Sequence, residues 1–190
     1  KYLNQILKID AASAPFKLIS LEKERRYSAG LKIETSAGDQ TVSLKGIIDR
    51  VDEHNGAVRL IDYKSGQDNK TFPDVESLFD REHKSRNKAA MQTMFYGLIY
   101  QATVPENTLP LKPAIFNLRE MFGDDFNPYL QLKLPRKEGV EVNDYRQFEE
   151  EYTIGLKSLL EDIYNPDIPF DQTDDLKKCG FCPYKEICGR

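Results

Sequence analysis

Two short segments, Gly46-Ile47-Ile48-Asp49-Arg50-Val51-Asp52 and Leu60-Ile61-Asp62-Tyr63-Lys64-Ser65-Gly66, decide the fold of this chain and carry most of its reactive side chains. Apolar residues alternate with polar ones from Gln40 to Glu53 and again from Ala57 to Lys64, and this period predicts a strand in each range. His54-Asn55-Gly56 lies between the two ranges, and an Asn-Gly pair is a strong signal for the tight turn of a β-hairpin. The sequence therefore predicts two adjacent antiparallel strands.

The sequence before the hairpin predicts one helix followed by further strands. Apolar residues recur at helical spacing from Lys1 to Asp10, and Pro15 closes this predicted helix. From Phe16 to Lys64 the pattern is typical of a meander of three or four strands, with a hairpin turn at residues 36–39. The hairpin is thus the end of a longer β region.

The sequence after the hairpin alternates between helical and strand periods. It predicts a helix over Ser85–Thr103, strands over Ala114–Leu118 and Tyr129–Leu134, and a second helix over Asn143–Tyr164. Strands followed by a helix, a strand pair and another helix predict an α/β fold, in which a central mixed sheet is flanked by helices.

The length and composition suit one domain with a small appendage. The chain has 190 residues, with 27 Lys and Arg against 31 Asp and Glu, and a formal net charge of −4. Its 10 Phe and 10 Tyr provide enough apolar surface for a core, which argues against disorder. All three Cys lie in an irregular C-terminal stretch, so we expect a core at residues 1–165 and a cysteine-containing tail at 166–190 that packs on it.

No segment of the sequence predicts a membrane-bound or secreted protein. No run approaches the length of about 18 apolar residues that a membrane span needs, and no charged-then-apolar leader is present. We therefore expect a cytoplasmic protein. Because the chain begins at Lys1 rather than Met, we also expect it to be a fragment of a longer protein.

Acidic and basic side chains meet where the two hairpin strands end. Asp62 and Lys64 are two residues apart, so they share one face of their strand. If Asp49 points to the same face, two carboxylates and an ammonium converge, which suits a Mg²⁺ site for phosphate chemistry. The alternative is structural, with Asp62 as a turn residue and Lys64 as an edge lysine. Asp49 supports the interpretation as a metal site. A carboxylate among apolar neighbours raises the free energy of the folded state and is rarely kept there without a function.

This paired pattern, Gly-x-x-Asp-Arg-x-Asp and then Asp-Tyr-Lys-Ser-Gly after a hairpin, resembles the PD-(D/E)XK nuclease superfamily. Within it, the chain is similar to the RecB-like nuclease domains of RecBCD- and AddAB-type helicase–nucleases and to CRISPR-associated single-strand exonucleases. The resemblance implies a restriction-endonuclease-like core. It also implies that Asp49 and Asp62 bind the metal together with the backbone carbonyl of Tyr63, and that Lys64 is the catalytic lysine.

The helix after the hairpin adds a second element of the resemblance. Gln92 and Tyr96 are four residues apart and so lie on one helical face. In the family a Gln-x-x-x-Tyr helix faces the active site or DNA, which implies a site role for both residues. The alternative is that Tyr96 belongs to the core, as a tyrosine on an apolar helix usually does.

Two further sets of charged residues are candidates for the site. The family carries an acidic residue upstream, and both Glu22 and Glu24 occupy that region, with Glu24 fitting the pattern slightly better. Basic residues precede the Gln-x-x-x-Tyr helix, and Lys84, Arg86 and Lys88 are candidates for holding a phosphate backbone. For these basic residues the alternative is an ordinary solvated helix start.

The tail contains Cys179, Cys182 and Cys188 in the spacing C-x₂-C-x₅-C, which is typical of metal or cluster binding. In AddB-type and CRISPR-associated relatives such a triplet joins a distant upstream Cys to hold an iron–sulfur cluster of the [4Fe–4S] type. This chain has no fourth Cys, so either the missing ligand lies before Lys1, or this member binds something else, or it has no cluster. Zn²⁺ held by three thiolates and one other ligand is the alternative.

The resemblance implies a deoxyribonuclease that depends on Mg²⁺ or Mn²⁺ and acts as an exonuclease rather than an endonuclease. The implied parent is a helicase–nuclease of double-strand break repair and recombination. Its partners would be DNA, an N-terminal helicase-like region and a partner subunit. Two alternatives stay open: a catalytically idle nuclease-like domain that binds DNA or a subunit, and an interaction module stapled by the cysteine tail.

Overall fold

The computed structural model describes residues 1–36, 38–80, 86–133 and 139–190. The helices are α1 (Tyr2–Ser13), α2 (Lys88–Thr103), α3 (Glu149–Tyr164) and the short α4 (Leu176–Cys179). The strands are β1 (Lys17–Leu21), β2 (Tyr27–Ile33), β3 (Gln40–Gly46), β4 (Arg50–His54), β5 (Ala57–Lys64), β6 (Thr71–Phe72), β7 (Leu111–Asn117), β8 (Gln131–Leu132) and β9 (Val140–Glu141). Among the helices of these residues, none combines the length and apolar content that crossing a membrane requires.

The central sheet has the strand order β1-β4-β5-β7. β1 pairs antiparallel with β4, and β4 pairs antiparallel with β5 across the predicted turn. Asn55 and Gly56 both have positive φ, 50° and 72°, as a two-residue hairpin turn requires. β5 and β7 are parallel, so the chain crosses over between them, and α2 lies in that crossover. The predicted α/β fold with a mixed central sheet flanked by helices is therefore confirmed.

α2 is enclosed on two sides, and nine of its 16 residues are buried. One side packs on β5 and β7, and the other packs on α3 and the antiparallel pair β2–β3. The main apolar core forms around α2, whereas a smaller cluster with Ile61, Ala114 and Phe116 is separate from it. We call the surface of the central sheet toward α2 the front face and the opposite surface the back face.

The single strand expected over Gln40–Glu53 is wrong, because the structure has two strands there that belong to different sheets. β3 ends at Gly46, and β4 begins at Arg50. A side chain at Gly46 would place its Cβ 2.6 Å from Ile99 Cδ1 on α2, so the backbone can pass this close to the helix only without one. The chain then turns through Ile47-Ile48-Asp49 into the central sheet, which leaves Asp49 outside any strand.

Two helix boundaries also differ from expectation. α1 continues to Ser13 rather than stopping at Asp10, and it ends because Ala14, which precedes Pro15, is extended. α3 begins at Glu149, since a separate 3₁₀ turn over Tyr145–Gln147 precedes it.

The boundaries near the residues without described structure differ as well. β7 starts at Leu111, three residues before the predicted Ala114. In the range expected as a strand from Tyr129, the structure pairs only Gln131 and Leu132 in β8, and residue 134 lies outside the described residues. Ser85, the predicted start of α2, also lies outside them, and the described helix begins after Asn87, whose side chain accepts a hydrogen bond from Ala90 N.

Gly97→Ala is expected to destabilise the fold by about 2 kcal/mol, as overpacking of a core does. A Cβ at Gly97 would lie 2.3–2.7 Å from three ring atoms of Tyr145, a side chain that is fully buried. The helix propensity that Ala adds, about 1 kcal/mol, cannot offset this contact. Urea denaturation gives the free energy of unfolding, with Gly123→Ala, where the nearest atom is 3.3 Å away, as the control. Equal stability of the two variants would contradict the close contact.

Candidate active site

Asp49 lies in the bend between β3 and β4, at the edge of the hairpin. The pairing of β4 with β5 stops at Arg50 and Ile61, so the backbone N–H of Tyr63 lies beyond the last strand pair. Asp49 Oδ2 accepts a hydrogen bond from that N–H at 2.8 Å. The Asp49 carboxylate thus replaces the missing strand and is fixed against the end of β5.

Asp62 lies on the front face of β5 and is only 2% exposed. Its Oδ1 accepts a hydrogen bond of 3.0 Å from the Tyr96 hydroxyl on α2. Its Oδ2 lies 2.9 Å from Lys64 Nζ, which is an ion-pair distance. The ammonium is directed elsewhere, however, and within the described part of the chain Oδ2 has no well-directed hydrogen bond. A buried carboxylate oxygen is therefore left with free lone pairs.

Four side chains close a ring on the front face. Lys64 Nζ donates to Gln92 Oε1 at 2.7 Å. Gln92 Nε2 donates to the Tyr96 hydroxyl at 2.8 Å, and that hydroxyl donates to Asp62. The ion pair between Asp62 and Lys64, at 2.9 Å, closes the ring. The spacing of two residues on β5 and of four on α2 brings the members onto facing surfaces. We call this set the Asp62–Lys64–Gln92–Tyr96 ring.

Burial and neighbouring charge change the ionisation of two ring members. Burial raises the pKa of Asp62 above its ordinary value, the Lys64 ammonium opposes that rise, and the nearby charge of Asp49 adds to it. Burial, and then the negative charge of Asp62, raise the pKa of Tyr96 far above that of a free tyrosine. Tyr96 therefore stays protonated and acts as a hydrogen-bond donor to Asp62.

The donor set near Asp49 and Asp62 fits a hard divalent cation. Oδ2 of Asp62, which pairs with the Lys64 ammonium but accepts no hydrogen bond within the described residues, is one available oxygen, and the second oxygen of Asp49 is another. The carbonyl of Tyr63 points to the same strand edge as its N–H, because both groups of a strand residue face one side. Mg²⁺ and Mn²⁺ prefer such oxygen ligands, and Mg²⁺ commonly uses only one or two carboxylates. Accordingly, no group of three or more His, Cys, Asp or Glu gathers as a metal cage within the described residues.

Among the described residues, no hydrogen bond or ion pair connects the Glu24 side chain with Asp49 or Asp62, and its role stays a prediction. Glu22 and Glu24 form a 3₁₀ turn between β1 and β2 rather than part of a strand. Glu24 Oε2 accepts the backbone N–H of Leu21 at 2.9 Å, which closes that turn. It is the backbone N–H of Glu22 that touches the site, since it donates to the Asp49 carbonyl at 2.9 Å.

Basic residues line a groove of about 830 Å³ at the start of α2. Arg86 and Lys88 are among them, and Lys133 joins them from the far end of β8. Gln92 of the ring lies four residues after Lys88, so the groove begins about one helical turn from the site. Lys84 lies outside the described residues. Lys133 was not predicted, because no local pattern connects it with α2.

Sequence reasoning assigned no role to Arg50, Asp52 or Arg59, and the structure places these residues on the back face. Arg50 is 4% exposed, Asp52 0% and Arg59 3%. Asp52 bonds both arginines. The sequence does indicate such a network, because these three charged residues lie within apolar strands. Ionised residues are rarely fully buried unless they are paired.

The three cysteines are free thiols, with Cys179 and Cys182 half-buried and Cys188 exposed. Cys182 N donates to the Cys179 carbonyl at 3.1 Å in a tight turn. The tail is closed on itself by Gln172, which donates to the Cys188 carbonyl. Apolar tail side chains are exposed, among them Phe181 at 100%. Metal or cluster binding by this triplet stays a prediction.

Tyr96→Phe is expected to lower kcat for phosphodiester hydrolysis about tenfold and to destabilise the fold by about 1 kcal/mol. The change removes the donor of Asp62 Oδ1 and the acceptor of Gln92 Nε2, and unpaired buried groups are costly. Tyr100→Phe is the matched control, because Tyr100 lies one turn further on α2 and is 3% exposed, against 4% for Tyr96. Equal kcat values for the two variants would show that the ring is not part of the active site.

A family model describes the chain almost from end to end. The model of the PD-(D/E)XK nuclease superfamily matches residues 1–189, a range that includes the hairpin, the ring and the tail. No curated protein matches the chain. Nucleases of this superfamily typically use divalent cations such as Mg²⁺ or Mn²⁺, which agrees with the oxygen donors around Asp49 and Asp62. The chain belongs to the PD-(D/E)XK nuclease superfamily.

Proposed function

We propose that this chain is a DNA exonuclease that depends on Mg²⁺ or Mn²⁺. The observation that carries the proposal is the Asp62–Lys64–Gln92–Tyr96 ring next to Asp49. Asp49, Asp62 and the Tyr63 carbonyl would hold the cation. When bound, the cation would polarise the scissile phosphate and acidify a coordinated water.

The ring itself supplies the remaining functions. Lys64 provides a positive charge that stabilises the negative charge developing on the phosphate, or orients the attacking water. Gln92 fixes the direction of the Lys64 ammonium through the hydrogen bond of 2.7 Å. Tyr96 keeps Asp62 Oδ1 occupied, which leaves Oδ2 as the oxygen for the cation.

The basic groove gives the substrate a place next to this ring. Arg86 and Lys88 line this groove and would contact phosphates, and Lys133 adds a third positive charge. The stretch that follows β5 carries Asp68, the acid among the residues that line this groove, so cationic side chains outnumber acidic ones there. Contacts to phosphates position a nucleic acid without reading its sequence.

The test is hydrolysis of end-labelled DNA with Mg²⁺ or Mn²⁺, compared with EDTA. Linear and circular single strands and linear duplexes are the substrates, because an exonuclease needs an end and leaves circles intact. Release of mononucleotides or short oligonucleotides from linear DNA alone supports the proposal. Binding of DNA without cleavage supports the catalytically idle alternative instead.

The RecB-type resemblance supports a wider setting for this activity. We infer that the chain is the C-terminal nuclease domain of a cytoplasmic helicase–nuclease that acts in double-strand break repair and recombination. Its partners would be an N-terminal helicase-like region of the same protein and a second subunit. Processive degradation that requires ATP, by the full-length protein but not by this domain alone, is the expected result.

We propose that the cysteine tail is held against the nuclease core by a bound metal cluster. Residues 166–190 would pack on the core of residues 1–165 once Cys179, Cys182 and Cys188 share an iron–sulfur cluster with a fourth ligand from outside the chain. An anaerobic preparation of the full-length protein should be brown and contain about four iron atoms per chain. Stoichiometric zinc instead would support the alternative site.

A further inference from the structure

Charged residues of the hairpin form a buried cluster on the back face. Arg50 opposes Ile61 and Asp52 opposes Arg59 in the β4–β5 pairing, so these side chains point away from Asp62 and Lys64. Asp52 accepts from Arg50 Nε at 2.6 Å and from Arg59 Nη2 at 2.9 Å. We call Asp10, Arg50, Asp52 and Arg59 the back-face network.

Arg50 extends this network to α1. Its Nη1 donates to both carboxylate oxygens of Asp10, each at 2.9 Å. The Phe16 ring covers the guanidinium at 4.7 Å and shields it from water. Two arginines and two aspartates balance in charge, and a buried arginine that lost its partner would be strongly unfavourable. Asp10 is the most accessible member, with 20% of its side chain exposed.

α1 attaches to the domain through partly exposed contacts, among them Tyr2 packed edge-to-face on Phe122 and Ile9 packed on the Phe116 cluster. α1 has no buried residue, and Leu3 and Leu7 are more than half exposed. Besides the pair with Arg50, Gln5 Nε2 donates to the Met121 carbonyl at 2.7 Å. The Asp10–Arg50 pair is therefore a principal link between α1 and the central sheet.

The same network is connected to two of the three candidate cation ligands, Asp49 and the Tyr63 carbonyl. Arg50 follows Asp49 directly in the chain, and Arg50 Nη1 also donates to the Tyr63 hydroxyl at 3.4 Å. Tyr63 in turn donates its backbone N–H to the Asp49 carboxylate. Asp49 is thus fixed twice, through its own backbone beside Arg50 and through its carboxylate on Tyr63. A displacement of the Arg50 side chain acts on both points.

We propose that Asp10 and Arg50 are positioning residues for the cation site, and that α1 acts as a brace behind it. Asp10 holds the Arg50 guanidinium, Arg50 holds the start of β4 and the Tyr63 ring, and these hold the Asp49 carboxylate and the Tyr63 carbonyl. This role rests on the proposed function, since it concerns the cation which that function needs.

The test is the affinity for Mn²⁺, measured from the EPR signal of free Mn²⁺ on the apo protein. Asp10→Asn keeps the shape of the side chain but removes its charge, and it is expected to weaken Mn²⁺ binding about tenfold, as loss of an outer-shell partner does. Asp10→Glu, which restores the carboxylate, should recover part of that loss. Glu34→Gln is the control, because it removes the charge of an exposed pair with Lys157 at 3.0 Å that joins the end of β2 to α3, away from the central sheet.

A second variant guards against simple unfolding. Tyr63→Phe removes only the hydroxyl that Arg50 contacts, leaves the backbone ligand in place and should weaken Mn²⁺ binding about threefold, less than a full outer-shell loss. Mn²⁺ affinity of Asp10→Asn within twofold of the wild type, or no Mn²⁺ binding by the wild type, overturns the positioning role. Mn²⁺ binding by a wild type that cleaves no DNA contradicts the nuclease proposal alone, since the affinities of the variants still decide the role of α1.

Discussion

Lys64→Ala is expected to lower kcat for DNA hydrolysis by about 10²- to 10³-fold, with little change in KM. The Lys64 ammonium is the only cation of the ring, and loss of one preorganised charge at a reacting centre has an effect of that size. Because the charge acts on the transition state rather than on bound DNA, the loss falls on kcat. Single-turnover hydrolysis of end-labelled DNA at saturating Mg²⁺ measures it.

Lys112→Ala is the matched control for this variant. Lys112 lies on the neighbouring strand β7, its side chain is 18% exposed against 25% for Lys64, and it too pairs with a carboxylate, Glu141 at 2.6 Å. In the parallel pairing of β5 with β7, Lys112 lies opposite Arg59, whereas Lys64 lies opposite Asn117 at the end of the pairing. Lys112→Ala should keep kcat within about twofold, and a comparable loss in both variants would remove Lys64 from the mechanism.

Asp62→Asn is expected to abolish hydrolysis and at the same time to stabilise the cation-free protein by about 1 kcal/mol. Asp62 is buried, and the effect of burial outweighs that of the Lys64 ammonium at 2.9 Å, so its charge is unfavourable until a cation binds. The amide can still accept from Tyr96 through its oxygen. Thermal unfolding in EDTA should give a higher Tm for Asp62→Asn than for the wild type. A Mn²⁺ titration should show that the variant has lost its affinity for the cation.

Acid should remove the stability difference between Asp62→Asn and the wild type. The pKa of Asp62 is raised in the folded state, so the cost of its charge is fully present above that folded pKa and disappears as the pH falls to the ordinary value of an aspartate. The two Tm values should therefore converge at low pH in EDTA. A difference that grows on acidification would contradict the unfavourable burial.

Asp52→Asn is the control for Asp62→Asn, because it lies on the same hairpin and its expected change in stability has the opposite sign. Asp52 is as buried as Asp62, but both of its oxygens bond arginine. Its replacement leaves Arg50 and Arg59 without their shared counter-charge, and a loss of about 3 kcal/mol is expected. If both aspartate variants shifted stability in the same direction, charge pairing would not be what distinguishes the two faces of the sheet.

The sequence predicted best the features that depend on neighbouring residues. The Asn55-Gly56 turn follows from the positive φ that such a pair tolerates, and the shared face of Asp62 and Lys64 follows from the period of a strand. Gln92 and Tyr96 reach that face because α2 is the crossover between two parallel strands. The motif of the superfamily predicts that the hairpin and α2 meet at one site. No local propensity predicts that contact.

The features that escaped prediction depend on distant contacts. The alternation that suggested one strand through Gln40–Glu53 continues across Gly46, but the close approach of Ile99 on α2 separates the strands there. The partner of Arg50 on α1 is 40 residues earlier in the chain, so the strand sequence shows a buried arginine without showing what pairs with it. Glu24 lies in a 3₁₀ turn that its side chain closes by accepting from Leu21 N, and the period of the sequence does not show such a bond.

Strand β5 leaves almost no room for a change in length. From Arg59 to Lys64, the side chains alternate between the back face, which takes Arg59, Ile61 and Tyr63, and the front face, which takes Leu60, Asp62 and Lys64. Insertion or deletion of a single residue exchanges the two sets, placing an aromatic ring where the carboxylate belongs. Length variants of this domain can therefore arise only outside the strand, at the Asn55-Gly56 turn or in the loop after Ser65.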